Sequence, residues 1–256
     1  MRREQPRVWL PGVWQRALPA QTGLAELYHE NSRYHRAVMY RVGPQSPHGE
    51  HAAAAPPASP GPAVLLLPPG KLTMTIGEAL HSRSSLRSYD PTALTAAQLS
   101  TLLAHAAGPG RYPSAGGRYA ISVCLLAKAV DGLPAGGYRY SPAEQGLLPL
   151  PVDPARIMAG LLPPGDPAAL ATAPLLLLLV ADFASMAVKY GARGYRFCLQ
   201  ECGHIAQNVQ LVTAAMGLGS LVMGAYLDDE LDAGLGLDGV ERTVLTVMPV
   251  GYGGDA

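Results

Sequence analysis

The chain is expected to fold as an α+β domain, a sheet flanked by helices, and three observations predict this. The first is the stretch over residues 189–219. Cys198, Cys202, Ile205, Val209, Val212 and Met216 recur there at helical spacing, with Phe197, His204, Asn208, Leu211 and Ala215 as a second stripe beside them. Two stripes predict a central helix covered on most sides, ended by Gly217 and Gly219. The second is the apolar run 173–181, too short to span a bilayer and bounded like a buried strand. The third is the order of elements. Strands and helices alternate without a strict βαβ period, which argues against a doubly wound parallel sheet.

Taken in order, residues 1–42 mix aromatic, basic and polar side chains with weak periodicity, and 24–35 can form a short helix. Residues 43–63 are rich in Pro, Ala and Gly and predict a flexible connector to the main domain at 64–256. Within that domain, 75–85 reads as a helix ending in a polar turn. Thr95 to Gln98 is a capping box for a helix over 96–107, stopped by Gly108-Pro109-Gly110. A Gly/Ser loop and a strand over 120–130 follow. Residues 138–151 alternate around a turn and predict a hairpin. Asp153 caps a helix to about Leu161. Residues 183–191 predict a short helix before the central one, 219–228 a strand and turn, 228–237 a short helix, and 242–252 the last strand.

A formal net charge of 0 and 15% charged residues remove the electrostatic case for nucleic acid. No stretch has the apolar length of a membrane span and no signal peptide is visible, so a cytoplasmic protein is expected. Three cysteines form no framework. Cys198 and Cys202 lie on the apolar stripe while His204 faces elsewhere, so a core role is expected for them and no metal. Neither a G-x-G-x-x-G after a strand nor a P-loop is present.

Three clusters point to chemistry. Arg83, Ser84, Ser85 and Arg87 put forked charged donors beside hydroxyls, a set suited to a phosphate. Pro113, Ser114, Ala115 and Gly116 are small enough for backbone to approach a flat ligand. Lys189 and Tyr190 place an amine beside a phenol, near Arg193 and Arg196, whose charges favour the deprotonated forms needed for acid–base work. Composition and spacing carry the argument as far as a phosphate-bearing planar cofactor.

The motifs R-S-S-L-R-S-Y-D-P, L-T-A-A-Q-L-S-T-L-L, P-S-A-G-G-R-Y, G-Y-R-Y-S-P, K-Y-G-A-R-G-Y-R-F, E-C-G-H-I-A-Q-N and G-L-G-S, in this order over roughly residues 75–252, resemble the SagB-type dehydrogenases. These are nitroreductase-like flavoproteins acting on thiazole/oxazole-modified microcins and related peptides. The resemblance implies a nitroreductase-like fold, a mostly antiparallel sheet with a long central helix, and an intertwined homodimer holding FMN at its interface. It implies that Arg83, Ser84, Ser85 and Arg87 hold the FMN phosphate. Pro113, Ser114, Ala115 and Gly116 would line the isoalloxazine from the partner subunit, and Gly224 and Ala225 would offer backbone N–H groups near the ring edge. Lys189 and Tyr190 match the family's catalytic pair.

The implied function is oxidation of peptide azolines (thiazolines or oxazolines) to azoles during maturation of a ribosomally made peptide. A base takes the acidified α-carbon proton, hydride leaves the neighbouring ring carbon for the flavin, and dioxygen reoxidises the cofactor. The implied partners are a modified precursor peptide, a second copy of the chain and a cyclodehydratase. The other readings are a flavin oxidoreductase of the same fold acting on another modified peptide, a cyclic dipeptide, or a nitro compound or quinone with NAD(P)H, and a non-catalytic interaction subunit. Nothing basic follows Arg242, so the phosphate grip is expected to rest on Arg83 and Arg87, with Arg193 or Arg196 as further candidates.

Overall fold

The computed structural model describes Leu24, Tyr28 and residues 59–161 and 168–254. Leu24 and Tyr28 are helical. The remaining expectations for the arm over 1–42, and those for the connector up to residue 58, lie outside the described residues.

Eight strands form one sheet in the order β1-β5-β4-β3-β6-β8-β2, with β7 also paired to β8. They are β1 (Val64–Leu65), β2 (Tyr89–Asp90), β3 (Ile121–Ala127), β4 (Gly136–Ser141), β5 (Gly146–Pro149), β6 (Leu175–Asp182), β7 (Gly219–Ser220) and β8 (Arg242–Gly253). Every ladder is antiparallel. β6 is the expected apolar run, paired on both edges, and Leu175 to Ala181 are all buried. A strand covered on both faces has no reason to alternate, which explains its unbroken leucines.

The helices are α1 (Ile76–Ser82), α2 (Ala96–Ala106), α3 (Pro154–Gly160), α4 (Ala168–Thr172), α5 (Phe183–Tyr190), α6 (Arg193–Ala215) and α7 (Asp228–Leu235). The capping box of α2 is formed: Thr95 accepts from the Gln98 amide and Gln98 accepts from the Thr95 amide. α1 carries the same device through Thr75 and Glu78. α6 and α2 pack on one face of the sheet, against Val123, Leu125, Leu177 and Leu179. α3 and α7 pack on the other, against Cys124, Leu126, Leu178 and Val180. The result is a three-layer α+β domain.

Three expectations need correction. The strand over 120–130 ends at Ala127, because the Lys128 and Ala129 amides both turn to the Pro174 carbonyl. The strand and turn over 219–228 shrinks to β7. Beyond it, among the described residues only Leu221 and Met223 make backbone hydrogen bonds to β8 before the chain turns into α7. The third concerns α6, whose first stripe is buried at Cys198, Cys202, Ile205, Val209 and Val212. The second stripe is half-buried at Phe197, Asn208, Leu211 and Ala215 and exposed at His204, so α6 is covered less fully there than along its first stripe.

Candidate active site

The polar turn after α1 runs from Arg83 to Ser88. It is fixed by a parallel bridge between Ser85 and Ser220 and by the Leu86 amide donating to the Ser220 carbonyl at 3.1 Å. Leu86 covers Gly219 so closely that a Cβ there would overlap its side chain. Ser84 lines a cavity of about 110 Å³ with Gln210, Thr213 and Gly219. Thr213, which lines it, shares a buried hydroxyl contact with Ser220 at 3.1 Å. Arg87 is exposed and spends one donor on the Ser85 carbonyl, at 3.3 Å. The four predicted phosphate residues therefore form one hydroxyl- and guanidinium-bearing turn.

Gly224 and Ala225 are exposed, and neither amide donates to a partner among the described residues. Ser220 stands opposite Val250 and Met223 opposite Val247, so the turn and the free amides are three strand residues apart, about 10 Å along β8.

The other two clusters meet each other. The loop 113–120 is held by one flank of α6. Glu201, only 2% exposed, accepts the Ser114 hydroxyl at 2.6 Å and the Ala115 amide at 3.2 Å on Oε1, and the Ala120 amide at 3.0 Å on Oε2. Ser114 Oγ accepts the Tyr119 amide at 2.8 Å, His204 Nδ1 lies 3.2 Å from the Pro113 carbonyl, and Asn208 donates to the Arg111 carbonyl at 3.0 Å. Burial, and then the Glu201 charge, hold the Tyr112 phenol above its ordinary pKa. At Gly116, φ is +61°, and a Cβ there would run into Tyr190 Oη and sit 2.7 Å from Lys189 Nζ. Only glycine suits both that backbone and that contact. Lys189 and Tyr190, at the end of α5, thus rest their polar tips on the loop. Tyr190 packs edge-on to Phe197 at 4.9 Å, and Lys189 Nζ lies 5.2 Å from the Tyr190 ring centre. Glu201 was not among the predicted site residues, although it continues the Phe197, His204, Asn208 stripe at the right spacing.

Within one chain these halves do not join. Glu201 and Gln210 are nine residues apart, two and a half turns, so they face opposite sides of α6 and are about 13 Å apart along its axis. Arg193 and Arg196 cannot supplement the phosphate turn in the same chain. They lie at the far end of α6, and their guanidiniums stand over the rings of Phe197 and Tyr28. The remaining basic candidates at that turn are Arg83 and Arg87.

The Nitroreductase family model matches residues 80–252. The chain belongs to the nitroreductase family. The family reading makes it an oxidoreductase, and flavin, typically FMN, is the family's usual cofactor. The chain is 31% identical over 183 residues to MJ1384 of Methanocaldococcus jannaschii, a nitroreductase by name, covering 68% of this chain and 89% of that protein. It is 32% identical over 146 residues to the microcin B17-processing protein McbC of Escherichia coli, covering 56% of this chain and 53% of McbC, about half its length. The fold matches a Ralstonia eutropha structure, a nitroreductase by name, at TM-score 0.64 and 26% identity, over 76% of this chain and 90% of that one. It matches a chain of the E. coli microcin synthetase McbBCD complex with truncated pro-MccB17 bound at TM-score 0.59 and 27% identity, over 77% and 80%. An Anabaena variabilis structure, also a nitroreductase by name, matches at TM-score 0.60 and 25% identity over 69% of this chain but 37% of its own.

The residues present fit FMN. A hydroxyl-rich turn suits its phosphate, two amides without partners among the described residues suit a carbonyl-bearing ring edge, and the 113–116 loop offers a wall of small residues. Among the described residues no group of His, Cys, Asp or Glu could hold a metal, and no helix is long and apolar enough to cross a membrane.

Proposed function

We propose that this nitroreductase-family chain is a SagB-type, FMN-dependent azoline dehydrogenase, oxidising thiazolines or oxazolines in a modified precursor peptide to azoles. The observation that carries it is the placement of Lys189 and Tyr190 together on Gly116. A peptide Cα–H substrate needs a base beside the cofactor wall, whereas nitro reduction does not. Kinship with McbC, and the likeness to a complex that holds a peptide, support the substrate class.

In this reading Arg83, Ser84, Ser85 and Arg87 hold the phosphate, and Gly224 and Ala225 donate to the ring edge about 10 Å away. Pro113, Ser114, Ala115 and Gly116 come from a second copy, because one chain sets them on the opposite flank of α6 from Ser84. Lys189 and Tyr190 travel with that loop. Bound FMN would supply the acceptor for the hydride that leaves the ring carbon. Lys189 Nζ or Tyr190 Oη takes the α-proton, and Glu201 holds the loop that positions both. Residues 64–256 form the FMN domain, with 1–42 as an arm and 43–63 as its connector, and a cyclodehydratase supplies the azoline.

The test begins with a visible spectrum of the protein given FMN, followed by mass spectrometry of an azoline peptide. Loss of two hydrogens per ring is expected, with Lys189→Ala and Tyr190→Phe keeping flavin but losing that conversion. A protein that binds no FMN, or variants that still convert azoline at the parent rate, overturn the assignment. The second reading is NAD(P)H-dependent nitro or quinone reduction, favoured by the 89% coverage of MJ1384. It predicts that nitro reduction survives Lys189→Ala.

A further inference from the structure

Strand register gathers a second polar cluster on the sheet face opposite α6. Cys124 stands across from Arg139 in the β3–β4 ladder, Ser122 across from Val180 in β3–β6, and Asp182 across from Arg242 in β6–β8. Side chains two apart share a face, so these groups point to the same side. There they line a cavity of about 190 Å³, bounded by Leu150, Leu235 and Leu237. An apolar cavity of ~150 Å³ takes up benzene, so the space suits a small organic molecule.

Its charge is unbalanced. Arg242 and Asp182 neutralise each other at 3.5 Å. Arg139 has its Nε shut off from solvent, and among the described residues its guanidinium has no hydrogen-bond or ion-pair partner. Burial pushes the Cys124 thiol up to about 12, so it stays neutral and supplies no counter-charge. Arg139 is half-buried, and the forked donors of its guanidinium match a planar oxyanion.

We propose that this cavity binds a small organic monocarboxylate, its carboxylate on Arg139 and its apolar body against Leu150, Leu235 and Leu237. One uncompensated positive charge calls for one negative charge. Three leucines would desolvate a hydrocarbon body that an inorganic anion lacks. The site is separate from the azoline chemistry, since Glu201 and Tyr190 pack on the other side of the sheet.

The test is calorimetric titration of the FMN-loaded full chain with benzoate and with its neutral analogue benzamide, repeated on Arg139→Met. The parent should bind one more benzoate per chain than Arg139→Met and show no matching site for benzamide, and saturating benzoate should raise the parent's melting temperature by more than the variant's. Should Arg139→Met fail to fold, Leu237→Trp, which fills the cavity and keeps the arginine, must remove the same benzoate. Equal benzoate stoichiometry in parent and variant would place binding elsewhere, such as the flavin cleft, and overturn the proposal. So would inorganic phosphate displacing benzoate as the tighter ligand, or equal binding of benzamide.

Discussion

Glu201→Gln is the most informative single perturbation of the candidate site. The carboxylate is 2% exposed and receives three donors: the Ser114 hydroxyl and the Ala115 amide on one oxygen, the Ala120 amide on the other. Glutamine can keep two of these. Its NH2 must then oppose the Ala120 N–H, leaving one buried donor unpaired at ~1–3 kcal/mol. Glu201→Ala strands all three, a larger loss at ~1–3 kcal/mol for each buried donor left unpaired. For a chain of this size each kcal/mol lowers Tm by about 2–4 °C, so a ~2 kcal/mol loss gives ~4–8 °C. Thermal unfolding followed by circular dichroism should rank parent, Gln and Ala in that order. The same change shifts Gly116 under Lys189 and Tyr190, and a misplacement of ~1 Å costs about 100-fold in rate. Azole formation should therefore fall more steeply than FMN affinity. If both variants unfold within ~0.5 kcal/mol of the parent, typical of an unimportant surface change, Glu201 does not hold the loop and the argument fails.

Three further outcomes are expected. Gly116→Ala should lose azole formation and cost ~1–2 kcal/mol in stability, from the left-handed backbone and the collision with Tyr190 and Lys189, as read by kinetics and thermal unfolding. Asp232, buried where it accepts the Thr243 hydroxyl and the Val244 amide, has a pKa raised chiefly by burial. The folded state thus binds the proton more tightly than the unfolded one, so this carboxyl's contribution falls as pH rises from about 4, its ordinary value, through the raised one. Asp232→Asn should remove that decline in a pH series of denaturant unfolding. Burial pushes the Cys198 thiol up to about 12 and that of Cys202 to about 11, so native protein at pH 8 should resist a disulfide thiol reagent that labels all three cysteines after denaturation.

Much of this fold is written locally. The α2 capping box, the leucine run of β6 and the period of α6 each depend on neighbours within a few positions, so the chain alone reveals them. The 219–228 strand misleads because its apolar residues suit a strand, while its length is decided by where β8 offers free bonding groups. Glu201 escapes notice for a related reason. A carboxylate in a helix ordinarily faces water, and its role depends on a loop some 80 residues earlier that supplies the donors. Arg139 looks like a strand arginine among tyrosines until register sets it opposite Cys124. That Ser84 and Gly116 lie on opposite flanks of α6 is a property of packing, and no spacing in the chain encodes it.

The central claim is that each site draws its phosphate turn from one chain and its Lys-Tyr pair from the other. Equal amounts of an Arg83→Ala, Arg87→Ala chain and a Lys189→Ala chain, reassorted into dimers and loaded with FMN, test it directly through azole formation. A shared site gives every mixed dimer one intact site and one doubly damaged site, and random pairing should restore about a quarter of parent activity. If each site lies within one chain, every site in every dimer carries a lesion, and the mixture stays as inactive as its components.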